Sequence, residues 1–156
     1  MPQAIPQGYH SVTPSLTLKN TQKAIDFYKK ALNAKVIDTF ANPMSGSGIM
    51  HAVIQVGDSY IMMGDEMSKC PSAETLGACP VTLFLYVPDV DAAFKQAVGA
   101  GATAEMPVDD MFWGDRAGSF KDPFGYSWMI ATHKKDLSKD EIRKNAQTFF
   151  AKMGAK

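Results

Sequence analysis

Two polar side chains in this sequence carry groups that are common in binding and catalytic sites, His51 and Arg116. The imidazole of His51 can donate or accept a proton near neutral pH, so it can contact a ligand or serve as an acid or base. The guanidinium of Arg116 is a planar fork of donors that suits a carboxylate or a phosphonate. Each also has a simpler interpretation. His51 can be a structural histidine, and Arg116 can form an ion pair with Asp115, Asp122 or another carboxylate.

Two cysteines, Cys70 and Cys79, are each followed by proline in a stretch that resembles a loop. Two free thiols in a reducing compartment are the simpler interpretation, and a disulfide is the alternative. The sequence has no Cys-x-x-Cys motif or close His/Cys cluster of the kind that binds zinc. It also has no G-x-G-x-x-G motif after a strand. We therefore expect no cofactor.

Composition restricts the class of protein further. The chain has 156 residues, enough for one sizeable core or two small half-domains, and it carries 16 basic and 16 acidic side chains. The absence of a basic patch argues against nucleic acid as a partner. No apolar run approaches the roughly 18–20 residues of a membrane span. The N-terminus lacks a basic region followed by an apolar one, so we expect a cytoplasmic protein.

The elements that must position the polar residues include a β-hairpin over residues 113–133. Its centre, residues 122–125, reads Asp-Pro-Phe-Gly and predicts a four-residue turn, since Asp bonds nearby backbone, Pro fixes φ and Gly allows a positive φ. Residues 126–130 are aromatic and β-branched, which predicts a strand.

A βαβββ pattern occurs twice along the chain. Strands are predicted at 12–18, 35–40, 50–56 and 59–64, with a helix after Asn20 or Thr21. After a predicted linker at 65–80, a strand at 81–87 leads to a helix capped by Asp89, a short strand at 102–106, a loop at 111–114 and the hairpin. Thr13 and Thr82 are 69 residues apart, and equivalent residues of the last strands are 67 apart. The repeat predicts an α+β fold of two modules, 9–65 and 81–133, in one structural domain.

A further helix is predicted at 138–154. Ser138 and Glu141 form a capping box at its start. Its apolar stripe can pack on the same chain or on a dimer partner, and consists of Ile142, Ala146, Phe149, Phe150 and Met153.

Two tandem βαβββ modules closed by a D-P-F-G-Y-x-W hairpin resemble the vicinal oxygen chelate superfamily, which includes glyoxalase I, extradiol dioxygenases and bleomycin-resistance proteins. The sequence is most similar to the PhnB-like branch. That similarity rests on A-I-D-F-Y at 24–28, on His51 with the Gly-Asp pairs at 57–58 and 64–65, on W-G-D-R at 113–116 and on A-T-H at 131–133. The resemblance implies a curved mixed-sheet cup that holds a small molecule, and a homodimer.

The resemblance also bears on metal. Metal-binding members place a ligand on the first and last strands of each module, and those positions correspond to Thr13, Met62, Thr82 and Met129. Two hydroxyls and two thioethers suit neither zinc nor a hard cation. The resemblance therefore implies that the usual metal site is absent, which argues against glyoxalase I and dioxygenase activity through that site.

The same correspondence predicts which side chains line the cup. A two-residue turn at Gly57-Asp58 places Val53 opposite Met62, and the 67-residue offset turns Arg116 and Phe120 toward the cup with Met129. Trp128 then faces the core, and Trp113 is either a lid or ordinary packing. The candidate ligand-binding residues are Thr13, His51, Met62, Thr82, Phe84, Tyr86, Trp113, Arg116, Phe120 and Met129.

Three functions remain open. We predict a metal-free protein that binds a small, partly apolar molecule. The second hypothesis is a lyase, isomerase or dioxygenase whose metal is held by shifted ligands, such as His51 with Asp65. The third is an enzyme without metal in which His51 is the acid or base.

Overall fold

The computed structural model describes residues 3–154 and shows an α+β fold with two βαβββ modules. The first module contains β1 (Ser15–Leu18), α1 (Thr21–Leu32), β2 (Lys35–Ala41), β3 (Ile49–Val56) and β4 (Ser59–Asp65). The second contains β5 (Thr82–Tyr86), α3 (Val90–Gly99), β6 (Thr103–Asp110), β7 (Asp115–Lys121) and β8 (Ser127–His133). A short helix, α2 (Ala73–Leu76), lies between the modules, and α4 (Lys139–Gly154) follows the second.

Each module forms its own four-stranded mixed sheet, with strand orders β1-β4-β3-β2 and β5-β8-β7-β6. The first and last strands of each module are parallel neighbours, and the other neighbours are antiparallel. A parallel pair requires a crossover, which begins with the helix after the first strand of each module. The two helices meet where the Gln96 side chain donates to the carbonyl of Lys30, 2.7 Å away. The predicted fold class is therefore confirmed.

Three predicted element boundaries are wrong. The first strand begins at Ser15 rather than residue 12, and Val12 is 86% exposed. Pro14 has no N–H and contributes only its carbonyl, which accepts the N–H of Met62. Strand β6 continues to Asp110 because β7 pairs with it along most of its length, across two irregularities. The predicted linker contains α2, which is capped by the hydroxyl of Ser72.

One face of each sheet, the helix face, packs under the helices and forms the core. Five apolar residues of β3 and β4 lie on this face in the first module and are all 5% exposed or less, namely Ala52, Ile54, Val56, Ile61 and Met63. Trp128 is 2% exposed, as predicted, and its ring lies 5.6 Å from that of Tyr28 on α1. Burial of each of the larger apolar side chains contributes about 1.5–3 kcal/mol. The core therefore runs continuously from one module into the other.

The opposite face of each sheet is here called the cup face. In the first module it carries Phe40, His51, Val53 and Met62, since directly paired residues point to the same side. In the second module it carries Phe84, Tyr86 and Met129. Phe40 is 51% exposed, Phe84 47% and Tyr86 60%. Both cup faces therefore leave large aromatic surface uncovered in the single chain.

The turn between β7 and β8 joins the two modules. It contains five residues, 122–126, rather than the predicted four, and Gly125 has φ of 89°. Asp122 is 4% exposed and accepts hydrogen bonds from the Tyr28 hydroxyl at 2.6 Å and the Trp128 indole at 3.0 Å. It also accepts the backbone N–H groups of Phe124 and Tyr126. These four donors satisfy a carboxyl group that would otherwise be costly to bury.

Helix α4 packs loosely on its own chain. The capping box is confirmed, since the Ser138 N–H donates to Glu141 at 2.8 Å and the Glu141 N–H donates back to the Ser138 hydroxyl. Phe149 and Phe150 contact Phe112 with ring centroids 5.5 and 5.7 Å away, yet none of the residues of α4 is buried. Within residues 3–154, no helix has the length and apolar character needed to cross a bilayer.

Candidate ligand site on the second module

The register of β7 decides which side chains reach the cup face of the second module. The first hairpin has two residues between its last pair, Val56 and Ser59, whereas the second has five between Lys121 and Ser127. The two turns differ in length by three residues, an odd number. Because side chains alternate between the two faces of a strand, each side chain of β7 lies on the face opposite to the one that a uniform 67-residue offset predicts. Ser119, not Phe120, is paired with Met129.

The predicted orientation of Arg116 and Phe120 is therefore wrong. Arg116 lies on the helix face, where it donates two 2.8 Å hydrogen bonds to Asp91 of α3 and one of 3.3 Å to Asp110. The ion-pair interpretation of Arg116 is the one observed, with carboxylates other than Asp115 and Asp122. Phe120 has no exposed surface and stacks on Trp128 in the core.

Asp115 lies on the cup face instead and gathers three side chains around it. It is 3% exposed, and one oxygen accepts the Tyr86 hydroxyl at 3.0 Å and the Trp113 indole N–H at 2.9 Å. The other oxygen lies 2.7 Å from Nδ1 of His133. These four residues, Asp115, Tyr86, Trp113 and His133, are called the Asp115 cluster below. Trp113 thus makes a defined polar contact with the cluster.

The sequence around the cluster explains how these groups meet. Asp115 and His133 are directly paired across β7 and β8. The next positions on the cup face are Ala117 and Ala131, whose small side chains leave space for the Tyr86 ring to reach across them. The carbonyl of Gly114, a residue with φ of 104°, accepts the N–H groups of Lys134 and Lys135. This contact ties the loop that carries Trp113 to the end of β8.

The hydrogen bonds of the cluster set its charge. Burial opposes ionisation of Asp115, but donors from His133, Trp113 and Tyr86 outweigh it and hold the pKa of Asp115 below its ordinary value. The hydrogen bonds to Asp115 and then Asp136 raise the pKa of His133. Burial, followed by the bond to Asp115, raises the pKa of Tyr86. The arrangement therefore shifts Asp115 toward the carboxylate, His133 toward the imidazolium and Tyr86 toward the neutral phenol.

Phe84 and Tyr86 form an aromatic surface with ring centroids 5.0 Å apart, and open space lies beside Phe84 and beside Asp115, the hydrogen-bond partner of Tyr86. Beside Phe84, a cavity of about 250 Å³ lies at the junction of the modules. Its lining includes Thr13, Thr82 and Phe84 of the predicted site, together with His10 and Tyr60. Beside Asp115, a groove of about 380 Å³ is lined by Asp110, Met111, Gly114, Asp115, Lys134 and Lys135.

The predicted residues of the first module lie apart from the Asp115 cluster. His51 is half-buried, its ring centroid is 6.2 Å from that of Phe40, and no hydrogen bond to its ring occurs within the described residues. Asp65, its predicted partner as a shifted metal ligand, uses one oxygen to accept the Thr21 N–H at 2.7 Å and the other to accept the Ile49 N–H at 2.8 Å. Asp65 therefore stabilises backbone, including the start of α1.

The donor set at the superfamily's metal positions does not fit a metal. Met62 and Met129 offer thioethers, Thr82 offers a hydroxyl, and the Thr13 hydroxyl donates to the carbonyl of His10. Across residues 3–154, no group of three or more His, Cys, Asp or Glu side chains could hold an ion. Cys70 and Cys79 are free thiols, as the simpler interpretation predicted.

Asp115 and His133 are the site residues that sequence reasoning missed. Both lie in segments that supported the resemblance, W-G-D-R and A-T-H. The signal that could have found them is the number of residues in the turn. A five-residue turn pairs Asp115 with His133, whereas the assumed offset directs Arg116 to the cup.

Comparison with known proteins gives the family. Residues 9–130 match the model of the Glyoxalase/Bleomycin resistance protein/Dioxygenase superfamily. An uncharacterised protein of Mycobacterium bovis is 34% identical over 138 residues, which cover 85% of this chain and 90% of that protein. The chain therefore belongs to the Glyoxalase/Bleomycin resistance protein/Dioxygenase superfamily.

Solved structures agree on the fold. Protein PA1353 from Pseudomonas aeruginosa has a TM-score of 0.65 and 25% identity, over 81% of this chain and 99% of that one. A putative 3-demethylubiquinone-9 3-methyltransferase, PhnB protein, from Bacillus cereus has a TM-score of 0.62 and 14% identity, over 79% of this chain and 99% of that one. At that identity, the PhnB structure supports the shared fold alone.

Proposed function

We propose that the cup face of the second module binds a small, partly apolar molecule without a metal. The observation that carries this proposal is the exposed aromatic surface of Phe84 and Tyr86, which lies between the junction cavity and the buried carboxylate of Asp115. Apolar walls with a few fixed polar groups are the usual make-up of a small-molecule site. Met129, next to Phe84 on β8, supplies a flexible apolar side chain to the same surface.

The cavity is small for a complete site. Its volume of about 250 Å³ is below the roughly 300–1,000 Å³ of ordinary ligand pockets. Phe40, Phe84, Tyr86, Phe150 and Met153 are all more than 40% exposed. We therefore propose a homodimer in which the second copy covers part of this apolar surface. We also propose that the protein belongs to the PhnB-like branch, because of the motif at 113–116. We further propose that it is cytoplasmic, since its free thiols would stay reduced there.

Binding can be tested by titrating the protein with uncharged aromatic probes such as indole and quinoline and recording backbone NMR spectra. We expect shifts at Phe84, Tyr86 and Met129, and at least tenfold weaker binding in Phe84→Ala. Phe40→Ala is a matched control, because Phe40 has similar exposure on the other cup face. Shifts confined to the first module, or equal losses in both variants, would remove the proposed site.

The metal-free part of the proposal has its own measurement. Protein purified without a metal-binding tag should contain far less than one equivalent of zinc, nickel, iron or manganese, and EDTA treatment should leave indole binding unchanged. Stoichiometric metal that is lost in His51→Ala would instead support an enzyme with shifted ligands.

The dimer is tested by truncation after Asp136, which removes α4 with its exposed Phe150 and Met153. We expect a lower dimer fraction in analytical ultracentrifugation and a lower melting temperature. An unchanged mass and an unchanged melting temperature would show that α4 is not part of an interface.

A further inference from the structure

We propose that His133 binds the carboxylate of a small aromatic acid on the cup face of the second module, at the position that Asp136 occupies in the free protein. The inference rests on the proposed function and specifies the chemical class of its ligand. His133 takes the role of hydrogen-bond donor to a carboxylate that the sequence predicted for Arg116, because Arg116 lies on the helix face.

Two hydrogen bonds orient the His133 ring so that one of its nitrogens can donate to an anion. Its Nδ1 lies 2.7 Å from the buried carboxylate of Asp115, which fixes the ring, and its Nε2 lies 3.1 Å from Asp136. A histidine that has one nitrogen on a buried carboxylate directs the other at a defined position. That second position therefore recognises a carboxylate oxygen.

Asp136 is suited to be a displaceable occupant. It follows the end of β8, its side chain is fully exposed, and His133 is its only hydrogen-bond partner within residues 3–154. An ion pair with a fully exposed partner contributes little stability. A ligand carboxylate can therefore replace Asp136 without changing the net charge around His133 and without leaving a buried group unpaired.

The surroundings supply the rest of the ligand's requirements. Tyr86 connects the two parts of the site, because its hydroxyl binds Asp115 while its ring lies against Phe84. An aromatic ring placed on this pair gains stacking contact. Lys134 and Lys135 line the groove beside Asp115 and add positive charge near the carboxylate. A planar ring with one carboxylate fits these contacts.

The test compares 2-naphthoate with 2-naphthamide, which has the same ring system and no charge, by calorimetry and NMR. In the wild-type protein we expect 2-naphthoate to bind at least tenfold more tightly. His133→Gln should reduce this preference to about twofold or less. Arg116→Gln is the control and should retain it, since its side chain points away from the cup.

Asp136→Ala gives a readout that a structural role would not produce. Removing the competing carboxylate should tighten 2-naphthoate binding several-fold and leave 2-naphthamide unchanged. Asp136 is fully exposed, so this variant is expected to fold even if His133→Gln does not. Unchanged or weaker 2-naphthoate binding in Asp136→Ala would overturn the proposal.

The pH dependence provides a second readout. The charged and titratable groups around His133 are Asp115, Tyr86, Asp136, Lys134 and Lys135. The preference for 2-naphthoate should fall as pH rises through the raised pKa of His133, and a preference that is flat from pH 6 to 9 would contradict the proposal. If both probes bind equally at Phe84, the carboxylate site falls and the proposed function stands. If neither binds, both fall.

Discussion

The two modules share one topology, yet only the second has a polar cluster on its cup face. Ser119 on β7 corresponds to Val53 on β3, 119 − 53 = 66 residues earlier, and Met129 on β8 corresponds to Met62, 129 − 62 = 67 residues earlier. By these offsets, Asp115 and His133 correspond to Ile49 and Glu66. The first module thus has no counterpart of the Asp115 cluster.

The end of the last strand has the same role in both modules. In the first, Asp65 accepts the Thr21 N–H at the start of α1, and in the second, Thr132 accepts the Val90 N–H at the start of α3. These positions satisfy the same orphan donors of a helix N-terminus. The helix faces of the two modules are therefore equivalent in construction, and the difference between the modules is concentrated on the cup faces and in the turns.

Substitutions in the two turns should give the largest difference in the free energy of unfolding. Asp122→Ala should lower the free energy of unfolding by about 4 kcal/mol, because it leaves several buried donors without an acceptor. Asp58→Ala, in the turn of the first module, should have little effect, because Asp58 is exposed and, within residues 3–154, accepts only from the Ser59 hydroxyl. Urea titration of both variants measures the contrast, and similar shifts in midpoint would remove the special role of the second turn.

The Asp115 cluster should give an intermediate effect. Asp115→Ala removes the acceptor of Tyr86, Trp113 and His133, and we expect a loss of about 2 kcal/mol. Asp109→Ala, on the exposed strand β6 of the same sheet, is the control and should be nearly neutral. Thermal unfolding of the two variants provides the comparison. A neutral Asp115→Ala would mean that the cluster adds no stability to the second module.

The stability of the second module should depend on pH through His133. The folded state raises the pKa of His133, so its contribution is fully present below the unfolded value of about 6.5 and is lost as pH rises through the folded value. The melting temperature of the wild type should therefore fall more steeply than that of His133→Gln over this window. Parallel curves would show that the imidazolium does not stabilise the fold.

Arg116 should show the smallest effect. Its partners Asp91 and Asp110 are exposed, and solvent screens such pairs. Arg116→Gln should lower the melting temperature only slightly, and added salt should reduce the difference. A large, salt-independent loss would indicate that the ion pair does more than join α3 to β7.

The sequence by itself determined the fold and most of the core. The apolar stripes of the two helices and the period-two alternation in β3 and β4 identified which side chains are buried, because burial follows local periodicity. The two-residue turn at Gly57-Asp58 also gave the correct pairing of Val53 with Met62. These features depend on residues that are close in sequence.

Only the tertiary structure decided the composition of the candidate site. Asp122 is drawn into the turn by Tyr28, a residue of the other module, and the resulting five-residue turn reverses β7. Tyr126, the last residue of that turn, also binds the backbone of Thr17 at the edge of β1. Side chains alternate between the two faces of a strand, so one additional residue in the turn places Asp115 on the cup face and moves Arg116 to the helix face. The length of this turn is set by contacts between segments about 100 residues apart in sequence, which local patterns do not encode.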